Sequence, residues 1–400
     1  MTPPGNSVRR VAELLSRLAN RAAGVDGEPG AATSWQLVDF VATQGLLPHF
    51  RELVAEPFIP EQLASRIRNH NYQCLRLTGE MLALVDAFDQ QHIPTIPFKG
   101  PLLAVQLYGD AASRSYCDLD FVVRAEHAEQ ALALLVARGY EPPPDVRRVP
   151  FYWWQRWMDQ CRLVRDGIVV ELHWALDQRW LLPWDLDAAW GGLEPVRLGG
   201  RIVYTFSREH LALYLAAHGA KHAWARLAWI LDFGQLVEAT PEIEWARVAS
   251  VARARGVERA LLLALRLAHE LLGITPPAGL AARVAQDRRV GALAHRVEAA
   301  LYGGGPSGQR TRGLQRFHSQ VQKRIRDRAR YVWFHLQVQE RVRDRARYLS
   351  KLLFASGPHD WSLIRLPSGL AWLYVLIRPL RLAAWVVGTA LDQFECWTGV

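Results

Sequence analysis

The stretch 98-FKGPLLAVQLYGDAASRSYCDLDFVV-123 places two carboxylates, Asp118 and Asp120, one residue apart at the start of an apolar run. The run has the composition of a buried strand. Two like charges are costly there unless a cation or a strong partner compensates them. On a strand, residues i and i+2 point to the same side, so we expect the two side chains to lie parallel and close together. Paired carboxylates of this kind can hold Mg²⁺, which prefers oxygen ligands.

The surrounding sequence predicts alternating strands and helices. "HIPTIPFKGPLLAVQLYGD" (92–110) indicates a strand, a turn and a helix, and "AEHAEQALALLVARGY" (125–140) is typical of an amphipathic helix. "CRLVRDGIVVELHW" (161–174) predicts a β-hairpin, because Asp166-Gly167 is a strong turn signal. This order of elements favours an α+β fold, with a small mixed sheet, flanking helices, and mostly helical N- and C-terminal regions.

A third carboxylate is expected from the second strand of that hairpin. Glu171 is the only acid in "IVVELHW" (168–174), and it shares a side of the strand with His173. If this strand lies beside the strand of Asp118 and Asp120, Glu171 comes near the pair. The alternative is a solvent-exposed edge that carries "DLD" without any ligand.

Cationic residues precede the acid pair. Lys99 and Gly100 form a turn whose backbone N–H groups are suited to phosphate, and Lys99 adds a charge. Arg114 lies four residues before Asp118, where a guanidinium could hold phosphate. The alternative for Arg114 is a salt bridge that orients Asp118 or Asp120.

Several motifs then follow one another in a specific order. They are Phe98-Lys99-Gly100, Tyr108, Arg114 with Asp118-Leu119-Asp120, Glu171-Leu172-His173-Trp174, and the helical set His218-Gly219-Ala220-Lys221-His222, Trp229 and Leu231-Asp232. In this order they resemble the bacterial uncharacterised nucleotidyltransferase family, within the DNA polymerase beta-like nucleotidyltransferase superfamily. The likeness runs from about residue 35 to 240 and implies a nucleotidyltransferase-like sheet. Lys-Gly replaces the Gly-Ser turn usual in the superfamily, which changes the phosphate cradle.

The resemblance implies an Mg²⁺-dependent enzyme that moves a nucleoside monophosphate from an NTP to a hydroxyl or similar acceptor on a small molecule, peptide or sugar. It implies that Asp118, Asp120 and Glu171 are catalytic and bind metal, with two Mg²⁺ ions. Glu171 would also help to deprotonate the acceptor. The residues implied for binding nucleotide or phosphate are Lys99, Gly100, Arg114, Lys221 and His222.

The helical set leaves alternatives open. Lys221 and His222 either face the cleft or belong to a helix that packs through its histidines. His218 and His222 have the i, i+4 spacing of zinc ligands, but no third ligand is evident. Asp232 is expected to cap a helix or to pair locally, without a chemical role.

The net charge of +9 comes from one segment. Residues 310–347 hold twelve Lys and Arg against three acids, and the rest of the chain holds 36 of each. Such a stripe is either a solvated helix face or a footprint for RNA or an anionic surface. It therefore suggests an alternative function, in which a catalytically inactive nucleotidyltransferase fold is a binding module.

Length, cysteine content and the apolar C-terminal segment give further expectations about domains and location. The 400 residues suffice for several domains, and we expect boundaries that give regions 1–91, 92–205, 206–302 and 303–400. Four separated cysteines and the absence of an apolar leader favour the cytoplasm. The apolar segment 361–397 is interrupted by arginines and predicts packed helices, or else peripheral contact with a membrane surface.

Overall fold

A computed structural model describes residues 41–49, 61–176, 186–302, 325–364 and 366–384. The glycine-rich joint predicted after residue 302, the first part of the basic segment and most of the first sixty residues lie outside these ranges. Within them the predicted α+β class is confirmed, with small sheets and flanking helices. The predicted domain boundaries stay predictions.

The predicted strands form one four-stranded sheet. Its members are β1 (Thr95–Phe98), β2 (Asp118–Val123), β3 (Gln160–Arg165) and β4 (Ile168–His173), in the order β1-β2-β4-β3. The outer pairs are antiparallel, whereas β2 and β4 are parallel. The predicted hairpin joins β3 to β4, and both residues of its turn have positive φ, as a two-residue hairpin turn of this type requires.

Five helices and a second sheet accompany these strands. They are α1 (Glu61–Gln90), α2 (Gly100–Tyr108), α3 (Ala128–Ala137), α4 (Phe151–Trp157) and α5 (Leu186–Trp190), followed by the antiparallel pair β5 (Leu193–Leu198) and β6 (Arg201–Phe206). Leu119, Phe121 and Val123 of β2 pack in a core with residues of α1 and α3. Val122, of the opposite parity, packs in the core that contains the helices after β6. The sheet is therefore covered on both faces, which explains the continuous apolar runs.

A helical region covers the face of β2 that carries Asp118 and Asp120. It comprises α6 (Arg208–Lys221), α7 (Leu227–Ala239), α8 (Trp245–Arg255), α9 (Glu258–Leu272), α10 (Ala278–Gln286) and α11 (Arg288–Tyr302). Ser207 caps α6, and its hydroxyl oxygen accepts a hydrogen bond from the backbone N–H of His210. The cap fixes where α6 starts, and Tyr214 of α6 packs on Phe98 of β1.

The C-terminal part contains α12 (Ile325–Val338), α13 (Val342–Phe354), α14 (Pro358–Leu363) and further helix over 374–384. Trp361 and Tyr374 are buried in the core that includes the sheet. Buried Asp360 pairs with Arg378 and Arg381, at 3.3 and 2.6 Å. Packing is therefore observed for Trp361, Tyr374 and Asp360, whereas Trp372, Leu376 and Leu380 of the same segment are exposed. No helix in the described ranges combines the length and apolar character needed to cross a bilayer.

Candidate active site

The predicted acids of β2 and β4 meet across the parallel strand pair. Asp120 is in register with Glu171, and Val122 with His173. The Nε2 atom of His173 lies 3.0 Å from Oδ1 of Asp120 and 3.6 Å from Oε2 of Glu171. One ligand atom from each of the three residues lies within 4.8 Å of the others. This group, which we call the acid–histidine cluster, has the donor set of a divalent metal centre.

Asp120 is the most buried member of the cluster, with a side chain that is 1% exposed. Its Oδ1 accepts hydrogen bonds from Nζ of Lys99, at 2.9 Å, and from Nε2 of His173. Burial alone would raise the pKa of Asp120, but Lys99 and His173 outweigh it and hold that pKa below its ordinary value. Its Oδ2 is buried and has no hydrogen-bond partner among the described residues. An ionised carboxylate with an unsatisfied buried oxygen fits a bound cation.

Asp118 lies at the start of β2 and is half-buried, outside the cluster as defined by the 4.8 Å limit. Burial and the neighbouring charge of Asp120 raise its pKa to about 6. Glu171 contributes to that rise as well, so the three predicted acids act on one another electrostatically. Two of them stand in the cluster and the third stands at its edge.

The Lys99-Gly100 turn is adjacent to these acids. Both residues have positive φ, +54° and +45°, which is a strained conformation for lysine. A Cβ on Gly100 would lie 3.5 Å from the carbonyl oxygen of Asp118, so the chain passes close to β2 here. The turn opens α2, where Gly100 and Leu102 carry backbone N–H groups of the first turn and Pro101 carries none.

Arg114 does not pair with Asp118 or Asp120, and that alternative was wrong. Its Nε donates to Oδ2 of Asp232 at 2.8 Å, and the hydroxyl of Tyr108 donates to Oδ1 of Asp232 at 2.9 Å. The expectation that Asp232 pairs locally was also wrong, because α7 carries it to a partner 118 residues away in the chain. Whether Arg114 binds phosphate stays a prediction.

Lys221 and His222 lie at the far end of α6. Near its middle, the ring of Tyr214 is 5.4 Å from Nζ of Lys99 and 5.3 Å from the ring of Phe98. Lys221 is seven residues beyond Tyr214, or about 10 Å along the helix axis. His222 packs against the indole of Trp229, with 5.1 Å between ring centroids. This contact is what helix packing of the histidines would give, and the roles of Lys221 and His222 stay predictions.

His173 was not predicted as a site residue. The available signal was its parity, since it faces the same side of β4 as Glu171. Its partner could not be read from that parity, because the hydrogen bond to Asp120 depends on the register of β4 against β2.

In the described part of the basic segment, several arginines donate hydrogen bonds to backbone carbonyl oxygens of the same chain. Arg341 donates to the carbonyl oxygens of Arg253 and Ala254, at 2.7 and 2.9 Å, and Arg345 donates twice to that of Gln339. These contacts favour a structural role for part of the stripe. Binding of RNA or of an anionic surface stays a prediction, as does membrane contact through 361–397.

Among the comparisons with known proteins, a family profile matches more than half of the chain. The sequence profile of a family described as "Uncharacterised nucleotidyltransferase" matches residues 32–273. No curated protein matches the chain significantly. An antigenic nucleotidyltransferase-like protein from Paracoccidioides brasiliensis aligns with 18% identity over 46% of this chain and 91% of its own, with a TM-score of 0.29. That superposition is too loose to carry an argument.

Proposed function

The chain belongs to the uncharacterised nucleotidyltransferase family, and on that premise we propose that it transfers a nucleoside monophosphate from an NTP to a hydroxyl or similar acceptor on a small molecule, peptide or sugar. The observation that carries the proposal is the acid–histidine cluster. It sets the carboxylates of Asp120 and Glu171 side by side on neighbouring strands, and Lys99 stands 2.9 Å from Asp120.

Asp120 and Glu171, with Asp118 at the edge, are the residues that would hold Mg²⁺. The bound metal would lower the pKa of the acceptor hydroxyl and offset the negative charge of the triphosphate. His173 fixes the Asp120 carboxylate through Oδ1, which leaves Oδ2 for the metal. This division explains why a histidine belongs to a site otherwise made of hard oxygen ligands.

The phosphates are assigned to the positive end of α2. Lys99 supplies charge, and Gly100 and Leu102 supply backbone N–H donors, since Pro101 between them has none. Arg114 supplies a planar set of donors from the loop that follows α2. These groups stabilise charge that develops on the phosphates during transfer. Lys221 and His222 are assigned to the nucleotide from the helical side of the cleft.

Glu171 is assigned to the acceptor. Its side chain is 21% exposed, compared with 1% for Asp120, so it is the member of the cluster that solvent and an acceptor can reach. A carboxylate in that place can take the proton of a hydroxyl that it contacts.

Transfer of label from α-labelled NTPs tests the proposal. Each of the four NTPs is incubated with Mg²⁺, the full chain and separate pools of small molecules, peptides and sugars. We expect labelled product with wild type and none with Asp120→Asn. The matched control is Glu126→Gln, which removes an exposed acid just after β2 and should transfer normally. Equal labelling by wild type and Asp120→Asn would refute the assignment.

A further inference from the structure

A buried carboxylate of the helical region touches two groups from the sheet region. Asp232, on α7, is 1% exposed, and each of its oxygens accepts one hydrogen bond. One donor is Tyr108, the last residue of α2, and the other is Nε of Arg114. Burial and the carboxylate of Asp232 raise the pKa of Tyr108 well above its ordinary value, so this hydroxyl stays a neutral donor.

Only one of the five N–H donors of Arg114 is used in this contact. Its two terminal amino groups donate to no residue in the described part of the chain. The side chain is 12% exposed, so the guanidinium reaches solvent. Its charge acts on Asp118, at the edge of the cluster. A cation held at Nε therefore keeps its other four donors unused by the described residues, within electrostatic reach of Asp118.

We propose that Asp232 is a positioning residue, which aims the terminal amino groups of Arg114 at the triphosphate of the bound NTP. The inference rests on the proposed function. Tyr108 completes the device because it holds the second oxygen of Asp232 and so fixes the plane of the carboxylate.

The device has a physical purpose. An arginine on the loop between α2 and β2 has many rotamers, and holding one of them in advance removes the entropy that binding would otherwise cost. The same helix, α2, begins at the Lys99-Gly100 turn and ends at Tyr108. The two groups of phosphate donors are thus fixed to opposite ends of one rigid element.

The experiment measures binding of Mg²⁺-tripolyphosphate, and of each Mg²⁺-NTP, to the full chain by calorimetry. The direction in which Asp232→Asn changes the affinity distinguishes positioning from simple electrostatics. Removing a negative charge near an anion should tighten binding, whereas losing the aim of Arg114 should weaken it. We expect Asp232→Asn to weaken tripolyphosphate binding at least about threefold. The double variant Arg114→Met with Asp232→Leu should weaken it about 10- to 100-fold, as expected for lost charge-assisted hydrogen bonds.

A matched control exists in the same chain. Glu80 is likewise paired with a tyrosine and an arginine: its Oε1 accepts from the hydroxyl of Tyr140 at 2.9 Å and lies 2.8 Å from a terminal amino group of Arg165. Glu80→Gln and the double variant Arg165→Met with Glu80→Leu should bind tripolyphosphate like wild type.

The outcomes separate the two claims. If wild type binds and Asp232→Asn binds at least as tightly, positioning is overturned and the proposed function stands. If wild type binds neither tripolyphosphate nor any NTP, both are overturned. Should Asp232→Asn fail to fold, Tyr108→Phe decides, because it keeps the charges of Arg114 and Asp232 and removes only the hydrogen bond that fixes the plane of the carboxylate; tripolyphosphate binding equal to that of wild type would then overturn positioning. Its melting temperature, compared with wild type, shows that a loss of binding is not a loss of fold.

Discussion

Metal affinity should depend on pH through Asp118, and the dependence can be worked out from its surroundings. Burial and the charge of Asp120 raise the pKa of Asp118 to about 6. A carboxylate must lose its proton before it can ligate a metal, so protons compete with the ion below that pKa. Affinity should therefore fall as the pH drops through 6 and level off above 7.

The size of the effect follows from the fraction of Asp118 that is ionised. With a pKa of about 6, roughly 9% is ionised at pH 5 and about 97% at pH 7.5, so affinity should fall about tenfold between these values. Asp118→Asn has no proton to lose. It should bind the metal more weakly than wild type does at pH 7.5, and its affinity should lack the tenfold fall that protonation of Asp118 causes.

The assay is Mn²⁺ binding followed by electron paramagnetic resonance, with wild type and Asp118→Asn measured side by side from pH 5 to pH 7.5. Any pH dependence of Mn²⁺ binding that comes from another group, His173 included, appears in both proteins and cancels in the ratio of their affinities. Identical pH profiles for the two proteins would show that Asp118 does not ligate the ion, and the reasoning from its raised pKa would be refuted.

Three further predictions concern single side chains. Glu171→Gln should weaken Mn²⁺ binding by about tenfold or more and raise the melting temperature of the metal-free protein, because one of the crowded negative charges is removed; unchanged Mn²⁺ binding would contradict this. Asp118→Asn should gain stability relative to wild type as pH rises from 4 to 7, by at most about 3 kcal/mol, because a folded-state pKa raised above the unfolded value makes ionisation unfavourable to the fold. Denaturant melts at several pH values measure the difference in unfolding free energy between the two proteins. A difference that does not change with pH would refute the prediction. Gly219→Ala should lower the unfolding free energy by about 1–3 kcal/mol, since a Cβ there would meet the ring of Trp224 at 2.5 Å. Gly291→Ala, whose Cβ would lie in open space, should instead stabilise α11 by about 0.5–1 kcal/mol. Equal unfolding free energies for the two variants would contradict the packing argument.

The sheet could be predicted because its signals are local. The turn at Asp166-Gly167, the alternation of β4 and the apolar run after Asp118 each lie within a few residues. Parity then predicted that Glu171 would face the acid pair, and the register of β4 against β2 agrees. The family resemblance added the functional class, and the profile match supports it.

The partners of charged side chains could not be predicted in the same way. Asp118 and Asp120 look equivalent in sequence. In the structure Asp118 begins β2 whereas Asp120 lies inside the strand, and the pKa of Asp118 is raised whereas that of Asp120 is lowered. The pairing of Arg114 with Asp232 joins residues in different regions of the chain, and only the packing of α7 against α2 creates it. Long-range contacts of this kind depend on tertiary structure rather than on spacing.

The parallel pairing of β2 with β4 has a consequence for how the protein is made. Asp120 and His173 are 53 residues apart, and the strands that carry them pair only after the intervening chain has closed into a loop. A nascent chain that stops before β4 holds the acids of β2 without Glu171 or His173. Metal-binding competence should thus be absent until β4 has been made, before the midpoint of the 400 residues, and should arise when the hairpin docks.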